Sequence, residues 1–407
     1  MKKWSFYFVF MLSLMLLVAC GGKETTNQEK ENDNQQTQGE QPIKVGILAS
    51  LTGPLESYGK QTVQGFELGL EYATDGTFKV GDRPIEFIVE DTETKADVAV
   101  HKATRLLEDH EVDFIVGSSS SADTLAVLPL MEEYQKIMVV EPAVADSITG
   151  ENWNEYIFRT GRNSSQDAVA SAVSIAGEGV KIATIAQDSA FGREGIEAFR
   201  EAATNLGAEM VIEQYADPQA TDFSPYIQKI LQSDVDYLFV LWAGANTPWN
   251  QIVDLKLMEK GINISTVIGD IPSLATMNEL VGLEGVSVYY PELPKNEVND
   301  WFVEKYKEKY NGEIPDLFTP GGFSAAMAIV KALEGTSGET DADKLINTME
   351  GMIFETPKGT MMFRAEDHQA LQTLYSIKLE KRDGVSYPVP VLVRELTLEE
   401  TAPPIRN

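Results

Sequence analysis

The residues best placed to do chemistry are four consecutive serines, Ser118-Ser119-Ser120-Ser121, which follow Gly117 at the end of the apolar run Phe114-Ile115-Val116. The N-terminus of a helix presents unpaired N–H groups and the positive end of the helix dipole. Hydroxyls gathered there suit a carboxylate or a similar anionic or polar head group. Serine is also a favoured helix cap, but one residue is enough for capping. A second hydroxyl-bearing loop, Ser50-Leu51-Thr52-Gly53-Pro54, leads to Tyr58-Gly59. Further along, Asp188-Ser189-Ala190-Phe191-Gly192, Trp242-Ala243-Gly244-Ala245-Asn246 and Gly269-Asp270-Ile271 stand at the ends of later apolar runs. A buried cation needs an anionic partner, so Asp270 could hold a ligand ammonium while Phe191 and Trp242 wall an apolar portion. For each of these alone, a helix cap at Asp270 or a core role for Trp242 is the competing reading.

Catalytic readings fare worse. The three histidines, His101, His110 and His368, show no metal-ligand spacing. Gly322-Phe323-Ser324-Ala325-Ala326 only half matches the hydrolase elbow Gly-x-Ser-x-Gly and has no strong strand before it. No glycine-rich phosphate loop of either common spacing occurs. The chain is expected to be no enzyme and to need no cofactor or metal.

The loops must be held by regular elements, and the pattern between them alternates. Ile43–Leu48 reads as a strand, and Val63, Phe66, Leu70 and Ala73 fall on one helical face. Strands at Ile85–Val89, Phe114–Val116 and Ile137–Val140 alternate with helices through Ala99–Leu107 and from about Thr124. The rhythm pauses at Phe158–Asn163. It restarts with strands at Ile182–Ala186, Met210–Ile212, Tyr237–Leu241, Thr266–Ile268 and Val286–Tyr290, with helices through Phe199 and near Ile227. Helices are expected at Glu297–Tyr310, Phe323–Leu333 and Ala342–Glu350, then β-like pieces at Met361–Phe363 and Leu374–Ile377. Short Val/Ile runs alternating with helices indicate an α/β fold with parallel sheets buried on both faces. Ligands of such sheets bind beyond the carboxyl ends of the strands, where the loops above lie.

The 407 residues, 43% of them hydrophobic, are enough for more than one ordinary domain. The chain opens with Met1-Lys2-Lys3 and an apolar run from Trp4 to Ala19, shorter than a membrane-spanning helix requires and matching a signal peptide. Leu17-Val18-Ala19-Cys20 resembles the bacterial lipobox, which implies cleavage before Cys20 and a diacylglyceryl anchor on that residue. Cys20 is the only cysteine, so no intramolecular disulfide can form. Lys23–Gln41 is almost wholly polar and reads as a disordered tether. With 63 acidic against 33 basic residues, net −30, nucleic acid is excluded as a partner on electrostatic grounds.

With these residues in place, the chain resembles the Leu/Ile/Val-binding protein family, which has the type I periplasmic-binding-protein fold and serves ABC importers. The markers are Leu51-Thr52-Gly53-Pro54 with Tyr58-Gly59, Asp91, Val116-Gly117 with the serine run, Phe158-Arg159-Thr160, Phe191-Gly192, Thr221-Asp222-Phe223-Ser224 and Asp367-His368-Gln369. The resemblance covers Ile43 to Lys378. It implies two doubly wound parallel-sheet lobes with a ligand cleft between them and three crossings, near Thr160–Asn163, Tyr290–Pro294 and Ile353–Thr360. The division expected is signal peptide 1–19, lipidated cysteine and tether 20–41, first lobe 42–161 plus 292–355, and second lobe 162–291 plus 356–407.

The resemblance also implies a carboxylate contact at Ser121, with Ser120 beside it. Backbone near Ala143 and Ala145 completes that contact, Tyr58 lines it, and Asp270 is the acid for an ammonium. Phe191, Trp242 and Asn246 complete the expected site. Phe191 stands where amino-acid binders often have tyrosine, and Glu141–Ala145 lacks their usual threonine. The expected ligand is an amino acid, branched-chain type favoured, with an amide, a short carboxylate or an aromatic acid as alternatives. The expected setting is a monomer anchored by lipid on the extracytoplasmic face of the cell membrane, delivering ligand to ABC permease subunits. A ligand-sensing lipoprotein docking on a membrane receptor is the rival reading.

Overall fold

The computed structural model describes residues 41–407 except Ala245. The expected signal peptide, Cys20 and the tether as far as Glu40 lie outside the described residues.

The described chain begins β1 (Ile43–Ala49), α1 (Glu56–Ala73), β2 (Lys79–Val80), β3 (Arg83–Asp91), α2 (Ala96–Glu108), β4 (Phe114–Gly117), α3 (Ser121–Tyr134), β5 (Ile137–Val140) and β6 (Ile157–Arg159). These strands form one sheet in the order β2-β3-β1-β4-β5-β6, parallel except for β2. Val45, Ile47, Ile115, Val116, Met138 and Val139 have no exposed surface, as central parallel strands covered on both faces require.

After α4 (Ser164–Ile175) come β7 (Lys181–Gln187), α5 (Ala190–Asn205), β8 (Glu209–Ala216), α6 (Ser224–Leu231), β9 (Tyr237–Leu241), α7 (Trp249–Asp254), β10 (Asn263–Thr266) and α8 (Ile271–Ala275). Their strands make a second parallel sheet, β10-β9-β7-β8. The remaining elements are β11 (Glu284–Ser287), α9 (Glu297–Lys309), α10 (Thr319–Gly335), α11 (Ala342–Met349), β12 (Ile353–Thr356), β13 (Gly359–Phe363), β14 (Ala370–Leu371), β15 (Leu374–Glu380) and β16 (Val389–Leu396). Two small antiparallel sheets, β11-β15-β16 and β12-β13-β14, complete the described architecture.

The chain returns to the first sheet through α10, which lies against α1 almost backbone to backbone. A Cβ placed on Gly65 would stand 1.7 Å from the Thr319 carbonyl oxygen, and one on Gly322 would stand 2.0 Å from that of Thr62. This contact brings the residues just before α10 beside the first turn of α1, where the Tyr58 and Phe318 rings lie 4.0 Å apart.

Several expected elements shift. The strand expected at Thr266–Ile268 ends at Thr266, because the Ile268 N–H bonds singly to Val286 O and the backbone then turns into α8. The strand expected at Val286–Tyr290 spans Glu284–Ser287 and pairs antiparallel with β15, not as a member of the second parallel sheet. α10 starts at Thr319 instead of Phe323, with a proline in its first turn. Ser324 lies fully buried in it and donates to Pro320 O, so no nucleophile elbow exists there. α4 occupies the Ser/Ala-rich stretch after Asn163, where the apolar periodicity predicts no helix. Met361, Phe363 and Ala370, expected with the second lobe, pack into the core of the first sheet with Phe354.

Candidate ligand-binding site

Loops from both parallel sheets meet over one cavity of about 280 Å³. Its walls come from beyond the carboxyl ends of strands: Leu55 and Tyr58 after β1, Ser119–Ala122 after β4, Pro142–Val144 after β5, Ser189–Phe191 after β7, Trp242 and Ala243 after β9, and Ile268 and Gly269 after β10. Leu317 and Phe318, carried in by α10, close another side.

Each serine of the run has a different task. Ser118 and Ser119 are structural: Ser118 donates to Ser120 O (3.1 Å), and the Ser119 hydroxyl accepts from the Ser50 N–H (3.0 Å), tying the β1 loop to the β4 loop. Ser120 is the N-cap of α3, accepting from the Asp123 N–H. The Ser121 hydroxyl oxygen accepts from the N–H groups of Val144 (3.3 Å) and Ala145 (3.1 Å). An oxygen that already receives two N–H bonds has mainly its proton left to offer, which makes Ser121 a donor toward an anionic ligand group.

Across the cavity, Trp242 packs edge-on against Phe223 at 4.9 Å, and its Nε1 is buried with no partner among the described residues. Gln187 donates to Ala243 O (2.7 Å) and so holds the loop after β9. The Gly244 N–H donates to the Tyr58 hydroxyl (3.1 Å), a bond that runs from the loop after β9 to the first turn of α1. Burial, and then the nearby Asp270 charge, raise the Tyr58 pKa far above that of a free phenol, so Tyr58 is neutral at any physiological pH.

Of the residues expected from sequence, Tyr58, Ser120, Ser121, Ala143, Phe191, Trp242 and Asn246 line the cavity. Ala145 does not: it is fully buried behind the wall, its N–H held by Ser121 and its carbonyl by the Arg159 guanidinium. Asp270 does not either. Its carboxylate caps α8 through the Ser273 N–H (3.2 Å) and accepts from the Ser57 hydroxyl (2.8 Å), in a separate cleft of about 380 Å³ between the start of α1 and α8. The competing cap reading of Asp270 is therefore the one the geometry matches. Trp249 is core, 3% exposed, and stands away from the cavity.

The two charged side chains among the described residues of the cavity wall, Arg162 and Asp167, are not among the site residues expected from sequence. The available signal was an Arg and an Asp five apart, flanking a helix start within small polar residues. Arg162 Nε donates to Asp167 Oδ1 (3.2 Å), and burial pushes the Asp167 carboxyl upward against the pull of Arg162. Behind them, Glu141 accepts from the Thr160 hydroxyl (3.2 Å), and Lys358 donates to Gln372 (2.8 Å). Burial raises the Glu141 pKa and lowers that of Lys358, each opposed by the other's charge. The described residues hold no cluster of His, Cys, Asp or Glu suited to a metal ion.

Two parallel-sheet lobes facing one small, mainly apolar cavity with a few polar groups define a class of protein, the two-lobed receptor for a small solute. A family model described as periplasmic binding protein matches residues 42–384. The chain is 29% identical over 360 residues to Leu/Ile/Val-binding protein homolog 6 of Brucella abortus, covering 85% of this chain and 89% of that one. It superposes on an ABC-type branched-chain amino acid transporter protein of Rhodopseudomonas palustris with a TM-score of 0.80 and 46% identity, over 90% of this chain and 99% of that one. It also superposes on an ABC-transporter solute-binding protein from the same species, solved with 3,4-dihydroxybenzoic acid, with a TM-score of 0.78 and 27% identity over 88% and 98%. The chain belongs to the periplasmic binding protein family. It is a solute-binding protein of an ABC transporter, acting outside the cytoplasm with membrane permease subunits, and not an enzyme.

Proposed function

We propose that this protein captures a small carboxylate with an apolar body, an amino acid of the branched-chain type or an aromatic acid, and delivers it to the importer from a lipid anchor at Cys20. The observation that carries the reading is the cavity itself: Ser121 and the Arg162 side chain stand on its wall together with Phe191, Trp242 and Phe318. Its volume of about 280 Å³ sits at the lower end of ligand pockets, which favours a molecule of amino-acid or benzoate size. The relatives named for branched-chain amino acids and the neighbour holding 3,4-dihydroxybenzoic acid support the same two classes.

The proposed mechanism is hinged closure. The ligand carboxylate first meets Ser121 and the amides near Ala143, and the loops after β7 and β9 then close over the apolar part. Closure is driven only as far as the ligand prefers the closed state. The hinge consists of Thr160–Asn163, Tyr290–Pro294 and the link between β14 and β15, later than the sequence-based boundary near residue 355. The receptor works as a monomer, tethered by residues 20–41.

Thermal unfolding against leucine, isoleucine, valine, short amides, benzoate and 3,4-dihydroxybenzoate tests the ligand class. A ligand at about 100 times its Kd adds about 2.7 kcal/mol of stability. No shift with any member, for a folded protein, would refute the reading. For the anchor, Cys20→Ser is expected to abolish labelling by fatty acid and release the protein from cells; retention on the membrane would refute it.

A further inference from the structure

The three crossings of the hinge meet at one buried turn, Pro357-Lys358, which joins β12 to β13. Asn296, just past the second crossing, donates from Nδ2 to Pro357 O (3.1 Å). Tyr375, on the strand that the third crossing enters, donates its hydroxyl to Lys358 O (3.3 Å). The Lys358 ammonium donates to Oε1 of Gln372, on the third crossing (2.8 Å), and Gln372 Nε2 donates to the carbonyl of Thr160, on the first (3.0 Å). Thr160 in turn donates its hydroxyl to Glu141 Oε2 (3.2 Å). One chain of bonds thus runs across the hinge from a lysine to a carboxylate. Lys358 is 3% exposed and Glu141 4%, and Gln372 and Thr160 are fully buried.

Glu141 carries this chain to the cavity. It immediately precedes Pro142-Ala143-Val144 of the wall. Its other oxygen lies against the first turn of α10, where a Cβ on Gly321 would stand 2.1 Å from Oε1. The residues just before that turn, Leu317 and Phe318, are wall residues too. Lys358, Gln372, Thr160 and Glu141 themselves do not line the cavity. Glu141 supplies the largest opposing charge on Lys358, and Lys358 the largest on Glu141, while Arg162 and Asp167 beside them are bonded to each other.

We propose that Lys358 and Glu141 are positioning residues of the receptor: two buried charges that fix the hinge against the cavity wall and so set how readily the lobes close on a ligand they never touch. This rests on the hinged-closure reading and deepens it. The physical reason is cost. Burying two charges is expensive, and neutral residues of similar volume are often at least as stable. What the charges add is one bonded arrangement of the crossings, because a satisfied buried polar network is rigid.

The test is the double variant Lys358→Met/Glu141→Gln of the full chain, which removes both charges and keeps an acceptor for Thr160. Thermal unfolding, calorimetric titration with L-leucine and with 3,4-dihydroxybenzoate, and small-angle scattering without ligand are compared with wild type. The double variant is expected to melt as high as wild type. It is nevertheless expected to bind each probe that wild type binds about 10-fold more weakly, because apparent affinity falls with the fraction of closing-competent receptor. If both probes bind, both weaken by the same factor, since neither residue meets the ligand. Ligand-free scattering is expected to give a larger radius of gyration than wild type. Lys358→Met alone leaves Glu141 without its counter-charge and is expected to melt lower than the double variant. Wild-type affinity and scattering in the folded double variant would make the pair merely structural and overturn the proposal. A double variant that melts below Lys358→Met, or does not fold, would overturn it too, and so would unequal losses for two probes. Binding of neither probe to wild type counts against the small-carboxylate reading, and the scattering comparison then decides the proposal by itself.

Discussion

Ser121 lines the cavity and at the same time ties two segments of the fold together. Its oxygen holds the N–H groups of Val144, in the cavity wall, and Ala145, behind it, both buried. Removing it leaves those donors without a partner, and an unsatisfied buried donor costs about 1–3 kcal/mol. Ser121→Ala is therefore expected to lower the unliganded protein's stability to urea by about that amount, beyond any effect on ligand. An unchanged urea midpoint would show that water or backbone shift replaces the hydroxyl. Ser120→Ala, which removes only the cap of α3, is expected to cost about 1 kcal/mol. From the sequence the four serines were equivalent. Their division into loop ties, cap and acceptor for the loop after β5 depends on Ser50 and Val144–Ala145, which only folding brings within reach.

At the scale of elements, two joints set the cavity's shape. The first is the start of α4, where Asn163 and Gln166 form a reciprocal capping box, Asn163 Oδ1 accepting the Gln166 N–H (2.8 Å) and Gln166 Oε1 accepting the Asn163 N–H (2.9 Å). This cap directly follows Arg162, so Asn163→Ala is expected to cost about 0.5–2 kcal/mol and to loosen ligand affinity as well. Denaturant titration and calorimetry would read the two effects. The Asn-x-x-Gln spacing was a legible sign of α4, obscured because its buried face is built of Ala and Ser instead of large apolar residues. The second joint is the contact of α1 with α10. Gly65→Ala would drive a methyl group into the Thr319 carbonyl and force the helices apart, at a cost of about 1–3 kcal/mol or more. The same shift would separate Tyr58 from Phe318, so weaker ligand binding is expected to accompany the lower melting temperature. That contact joins positions far apart in the chain, and no periodicity signals it.

At the scale of the molecule, the two sides meet through carboxylates. Asp316 accepts the Ile271 N–H with both oxygens (3.1 and 3.0 Å), the Leu317 N–H (2.8 Å) and the Gln61 amide (3.1 Å), while Asp270 accepts from Ser57. Burial, and then the Asp270 charge, push the Asp316 carboxyl up to about 7; burial raises Asp270 too. In the unfolded chain both titrate near about 4. A pKa raised by folding means the native state holds the proton more tightly, so this contribution is complete below about pH 4 and is lost as pH rises through about 7. The protein is expected to resist urea better near about pH 5 than near about pH 8, and Asp316→Asn should flatten that slope. Because the acidic chain repels itself more at high pH in either form, the difference between the two slopes is the readout. Equal slopes would remove Asp316 from the account.

The sequence by itself determined the α/β alternation, the strand ends whose loops line the cavity and the family, because periodicity, turn chemistry and motif order are local properties of the chain. Only the tertiary structure decided that Asp270 caps a helix away from the cavity, that Ala145 lies behind its wall, and that Leu317, Phe318, Arg162 and Asp167 line it. The reason is physical. A side chain's type says what it can bond, whereas burial and the partners that arrive from distant segments decide which of its bonds are already made and which remain for a ligand.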